Sequence, residues 1–91
     1  MTNKEKFLSG HKFKSPIHQS MNFSYETLGD HNYWIGVSEG GATRFYAGII
    51  KINNTSITIR YFLFDKRVTA NIPYAKMEFI EPLTLLENAN N

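Results

Sequence analysis

From Met21 to Ile72 apolar and polar residues alternate with a period of two, and the run is broken at near-regular spacing by Leu28-Gly29-Asp30, Glu39-Gly40-Gly41-Ala42, Asn53-Asn54 and Asp65-Lys66. A period of two puts successive side chains on opposite sides of an extended backbone. Glycine, asparagine and aspartate supply the backbone conformations that tight hairpins need. Such a segment folds as consecutive antiparallel strands and leaves no room for a helix.

Loop length fixes register, and register decides which side chains face the core. A three-residue loop at Leu28-Gly29-Asp30 predicts that Tyr25 pairs with Tyr33, Phe23 with Ile35 and Met21 with Val37. An even loop at Glu39 to Ala42 pairs Ile35 with Tyr46 and Val37 with Arg44. An even loop at Asn53-Asn54 pairs Ile50 with Ile57, Gly48 with Ile59 and Tyr46 with Tyr61. The turn at Asp65-Lys66 then sets Leu63 opposite Val68, Tyr61 opposite Ala70 and Ile59 opposite Ile72. This reading gives one concordant inward set. The other phase, Trp34, Phe45, Ala47, Ile49, Phe62 and Phe64 with Arg60 among them, is expected to face outward.

The expected fold is therefore all-β with one short N-terminal helix: an antiparallel five- or six-stranded meander, strongly curved and barrel-like. Gly36 and Gly48 lie inside predicted strands, where glycine marks a bend or a close approach. At 91 residues the chain forms a single domain: a capping helix over 1–10, the meander over 21–81 and a frayed tail over 87–91. Thr2-Asn3-Lys4-Glu5 fits a capping box that starts a two-turn helix with Phe7 and Leu8 on its apolar edge, and Gly10 closes it. A short strand is expected around Lys12 to Lys14. A last short strand, Met77 to Ile80, follows a proline-started turn at Pro73 and pairs back toward an earlier edge. Leu83, Leu85 and Leu86 supply a final apolar turn. The rhythm of residues 46–82, strand, tight turn, strand, hairpin, proline-started turn and short strand, resembles that of the small SH3-like barrels. The resemblance implies a small barrel and carries no activity with it.

The charge balance of +2 conceals an uneven distribution. Lys4, Lys6, Lys12 and Lys14 against Glu5 give residues 1–14 a net +3, and Glu78, Glu81 and Glu87 give residues 77–91 a net −3. If the termini meet in the fold, these blocks offset each other. With no cysteine, neither a disulfide framework nor a thiolate site is available. No apolar run approaches the ~20 residues of a membrane span, and MTNKEKFL has no signal-peptide pattern, so the expectation is a cytoplasmic protein with no membrane partner.

Catalytic chemistry finds little to work with. His11, His18 and His31 match neither the helical nor the strand spacing of a metal triad, and no thiolate completes one. The serines lack a nucleophile elbow or a neighbouring base, and the predicted inward set holds no carboxylate pair. Gly40-Gly41 lies between strands instead of opening a helix, so it reads as a turn and not as a phosphate loop. No enzyme activity, cofactor or metal is expected. The candidate binding residues are Trp34, Phe45, Arg60, Phe62 and Phe64, an aromatic group of the kind found at interface centres. Protein contact, either self-association into a homo-oligomer or a partner protein, is the first expectation for this face. Single-stranded nucleic acid, RNA above all, stacked on the same aromatics beside Arg60 is the alternative. The helix, through Phe7 and Leu8, or the leucines near the C-terminus, offer a purely internal cover for it. Tyr25, Tyr33, Tyr46 and Tyr61 on the inward phase suggest a third option, a small-ligand cavity lined with phenols.

Overall fold

The computed structural model describes residues 1–80. The elements, in chain order, are helix α1 (Asn3–Leu8), β1 (Phe13–Lys14), β2 (Met21–Leu28), β3 (His31–Ser38), β4 (Arg44–Ile52), β5 (Ser56–Leu63), β6 (Lys66–Pro73) and β7 (Glu78–Phe79). Short 3-10 turns at Glu39–Gly41 and Tyr74–Lys76 precede β4 and β7. The expected five or six strands become seven, because β1 and β7 are two-residue strands that pair with each other, Phe13 with Phe79 and Lys14 with Glu78. The strands form one antiparallel sheet in the order β6-β5-β4-β3-β2-β1-β7, curled into a half-barrel. Its edges, β6 and β7, share no ladder among the described residues. The expected final apolar turn at Leu83, Leu85 and Leu86, and the frayed tail, lie outside the described residues.

Helix α1 follows its sequence closely. The Glu5 amide donates to Thr2 Oγ1 at 3.1 Å, and the Thr2 amide donates to Glu5 Oε1 at 3.0 Å, completing the capping box. At the other end Gly10 takes φ +84°, and the amides of Gly10 and His11 donate to the carbonyls of Phe7 and Lys6. This pairing is a Schellman motif, which satisfies carbonyls that the short helix leaves open. Phe7 is fully buried, whereas Leu8 is 40% exposed.

Two one-residue slips separate the observed register from the expected one. The β2–β3 turn has two residues instead of three: Leu28 pairs with His31, and Gly29 takes φ +62° at the first central position, where a type II′ turn requires it. Tyr25 therefore meets Trp34, and Phe23 meets Gly36. The β3–β4 register is as expected, Ile35 with Tyr46 and Val37 with Arg44. A β-bulge between Ile49 and Lys51 then adds one residue to β4, so that Gly48 meets Arg60 on one side of it and Ile52 meets Ile57 on the other. The two slips cancel for β2, β5 and β6 but invert everything between them. The β5–β6 hairpin is two residues tighter than expected, with Phe64 and Asp65 both at positive φ. Ile57 pairs with Ile72 and Tyr61 with Val68, and the faces are unchanged.

The inversion rewrites the core. Trp34 and Phe45, expected outside, face inward: Trp34 is fully buried, and Phe45 packs against the buried cluster. Trp34 lies 4.9 Å from Phe23 and 5.0 Å from Phe13, ring centre to ring centre, and Phe7 from the helix approaches it at 6.4 Å. Phe23, Phe13, Ala47, Ile57, Ile59, Ile72, Tyr74 and Met77 complete this centre. The helix thus covers the inner, concave face. Tyr33, Ile35, Val37, Tyr46 and Gly48, expected inside, stand on the outer face.

Candidate functional site

The outer face is built from cross-strand rows. Glu26, Tyr33, Gly48, Arg60 and Thr69 form a continuous row across β2 to β6. In the next row Ser24, Ile35 and Tyr46 stand side by side, and Phe62 pairs with Arg67. Arg44 lies beyond Val37 at one end of β4, and Lys51 pairs with Thr58 at the other. Alternation on each strand puts all of these side chains on the same side.

Aromatic and basic groups dominate the surface that results. Tyr46 is 55% and Phe62 68% exposed, and Tyr33 is half-buried beside Ile35, which its neighbours bury. Arg44, Lys51, Arg60 and Arg67 are all exposed on this side, and among the described strand positions of this face Glu26 is the single acid. The Arg67 guanidinium lies 5.9 Å from the centre of the Phe62 ring, and the rings of His31 and Tyr33 are 6.4 Å apart. Cation–π contact at that distance orients the guanidinium without neutralising it, so its donors remain available.

Of the five residues that the sequence nominates for binding, Arg60 and Phe62 are brought together here. Phe64 is 93% exposed at the apex of the β5–β6 turn, beyond the sheet itself. Trp34 and Phe45 are corrected: they belong to the inner face, where Trp34 offers nothing to a ligand because none of it is exposed. The tyrosine-lined cavity is corrected as well. Tyr25 and Tyr61 pack against the core, whereas Tyr33 and Tyr46 are on the opposite side of the sheet, so the four phenols do not converge. The Tyr25 hydroxyl is already engaged, donating to Asn32 Oδ1 at 3.0 Å. The alternation pattern missed Tyr33, Tyr46, Arg44, Lys51 and Arg67 as partners on one surface. One signal pointed to them: the expected phase placed Arg44 on a core face, where an unpaired guanidinium is costly.

Elsewhere the described residues assemble little chemistry. A cleft of about 490 Å³ lies at the β1–β7 end of the sheet, lined by Lys14, Ser15, Pro16, Gln19, Lys76 and Glu78. Lys14 and Glu78 are cross-strand partners at its wall, so their charges offset each other. Among the described residues no group of three histidine, aspartate or glutamate side chains is placed to hold a metal ion. No described helix is long and apolar enough to cross a membrane. The Tyr74 phenol is pushed up from its ordinary value by burial, and it donates to the Asn53 carbonyl at 2.9 Å, a bond that ties the 3-10 turn to the β4–β5 turn. No family model, no curated protein and no solved structure matches this chain.

Proposed function

We propose that this chain is a non-catalytic binding module that holds a single-stranded nucleic acid on the outer face of its sheet. The observation that carries this reading is the interleaving of Tyr33, Tyr46 and Phe62 with Arg44, Lys51, Arg60 and Arg67, with Glu26 the single acid among the described strand positions of that face. Stacking on an aromatic ring needs an unpaired base, whose flat face a duplex conceals. Bases beside the rings attract the phosphates between stacked nucleotides. Electrostatics also decides between a polyanion and a second copy of the chain. A two-fold contact through this face would set four cations against four cations, so the face is poorly suited to self-association.

The test is a fluorescence anisotropy titration with labelled dT12 and U12. Four phosphate contacts on a single strand give a salt slope of about −3, which is a roughly 50-fold loss of affinity between about 50 and 200 mM salt. Tyr46→Ala should weaken binding roughly 5- to 160-fold, the effect of losing one stacked base. Absence of binding to either probe at low salt sinks the proposal.

One observation favours a second reading, a protein contact at the β5–β6 apex. Phe64 is 93% exposed and holds φ +49°, a left-handed conformation that a bulky side chain disfavours. A residue that is both exposed and locally unfavourable is explained by a contact made outside the chain.

A further inference from the structure

Two glycines occupy the middle of central strands, and the described residues give a steric reason for only one of them. A Cβ on Gly36 would meet the Phe23 ring at 2.5 Å, so that position must be glycine for the aromatic core to close over it. Among the described residues a Cβ on Gly48 would meet only the Arg60 carbonyl oxygen, at 3.9 Å, an ordinary contact distance. Nor does its backbone require glycine, since its φ lies outside the left-handed region. Glycine inside a strand weakens it through chain entropy and lost packing, so Gly48 is a cost that no side-chain contact among the described residues repays.

The missing side chain opens a notch on the outer face. Gly48 is the third residue of the row Glu26, Tyr33, Gly48, Arg60, Thr69, so a phenol and a guanidinium flank bare backbone. Tyr46, two residues along β4, borders the notch on the strand itself. Side chains on strands once removed rise about 9–10 Å apart. One planar ring touched on both faces takes about 7–8 Å, and a modest lean of Tyr33 and Arg60 closes the difference.

We infer that Gly48 is the floor of a subsite for one planar heteroaromatic ring, a nucleobase held edge-down between the Tyr33 phenol and the Arg60 guanidinium. The inference rests on the proposed nucleic-acid reading and deepens it. Phenol and guanidinium planes both stack on bases regardless of base identity, so the subsite is expected to accept any base while requiring that one be present.

The experiment compares the unaltered chain with Gly48→Val and Gly48→Ala, using labelled dT12 and a 12-unit abasic strand of equal charge. Valine fills the notch and suits a strand, and alanine is the milder change should valine disturb folding. The unaltered chain should bind dT12 at least 10-fold more tightly than the abasic strand. Gly48→Val should lose most of that preference, keep its affinity for the abasic strand within about twofold and melt no lower than the unaltered chain. Gly48→Ala should fall between the two. If the unaltered chain prefers dT12 and either folded variant keeps the full preference, the notch is not a base site, and the reading of the face as a nucleic-acid surface stands without it. If the unaltered chain binds neither strand at low salt, the reading and the subsite fail together.

Discussion

On the inner face Trp34 is enclosed by Phe7, Phe13 and Phe23 at 4.9 to 6.4 Å between ring centres. On the outer face Tyr46 and Phe62, carried by β4 and β5 of the same sheet, stay more than half exposed. Aromatic content therefore does not separate the two sides; cover does. The helix, the Tyr74–Lys76 turn and strands β1 and β7 close over the inner side and contribute Phe7, Phe13, Tyr74 and Met77 to its packing. The outer side receives no such layer from the described residues and carries its bases instead. Rings backed by hydrocarbon stabilise the fold, and rings backed by guanidinium groups and water are available to something else.

Truncating one ring on each side gives the largest expected contrast. Trp34→Ala should lower the free energy of unfolding by about 3–5 kcal/mol, whereas Phe62→Ala should change it by no more than about 0.5 kcal/mol. Urea denaturation followed by circular dichroism measures both, and comparable losses would erase the distinction between the faces. Trp34→Phe sharpens the test, because the buried indole Nε1 has no hydrogen-bond partner among the described residues. Removing that donor along with part of the ring should offset some of the lost packing, so the phenylalanine variant should lose far less than the alanine variant.

The glycines give the next contrast. At Gly36 an added methyl group must displace the Phe23 ring, and overpacking of that kind costs about 1–3 kcal/mol. At Gly48 the same methyl group enters open space, so stability should hold or rise by about 0.5–1 kcal/mol. Equal losses at both positions would mean that the bulge two residues beyond Gly48 needs the glycine for its twist.

What the sequence made legible and what it hid follow the same physics. Turn positions, the capping box, the existence of the two short strands and the β3–β4 register are local, and each depends on a few residues with definite backbone preferences. The inversion of β3 and most of β4 depends on two slips whose signals are degenerate. Ile49-Ile50 is apolar on either phase, so alternation reads through the bulge without contradiction. Tyr33-Trp34-Ile35-Gly36-Val37 likewise offers a credible apolar face both ways, and only the three-dimensional seat of the Phe23 ring over Gly36 selects Trp34 for the interior. The outer face inherited that ambiguity. Arg60 and Phe62 are on β5, whose phase is unaffected, and were placed correctly; Tyr33, Tyr46 and Arg44 are on the inverted segment and were not.

A smaller effect is expected at the β5–β6 apex, where Phe64 and Asp65 occupy the two central positions of a turn with φ +49° and +65°. Turns with both central residues at positive φ favour asparagine and glycine, so Phe64→Asn should stabilise the fold by about 0.5–1 kcal/mol. It also removes the most exposed ring in the chain. If the apex is a protein contact, the variant melts higher while losing association in light scattering. If the outer face alone is functional, the variant melts higher and binds single strands with unchanged affinity.

The smallest effect concerns the cover of the inner face. Backbone and side-chain hydrogen bonds from Thr2 hold the Glu5 carboxyl below its ordinary value of 4.5. A depressed folded-state value means that the stabilising contribution is present above the unfolded-state value and is lost as pH falls through the folded-state one. Glu5 is fully exposed, so the acid-dependent part of its contribution should be slight, and Glu5→Gln should remove it by flattening stability against pH below about 4.5. The change weakens the start of a helix that packs only on the inner side, through Phe7. Single-strand affinity measured at neutral pH should therefore be the same for Glu5→Gln as for the unaltered chain. A loss of affinity in that variant would mean that the N-terminal helix communicates with the outer face, and the two sides of the sheet could no longer be treated as independent.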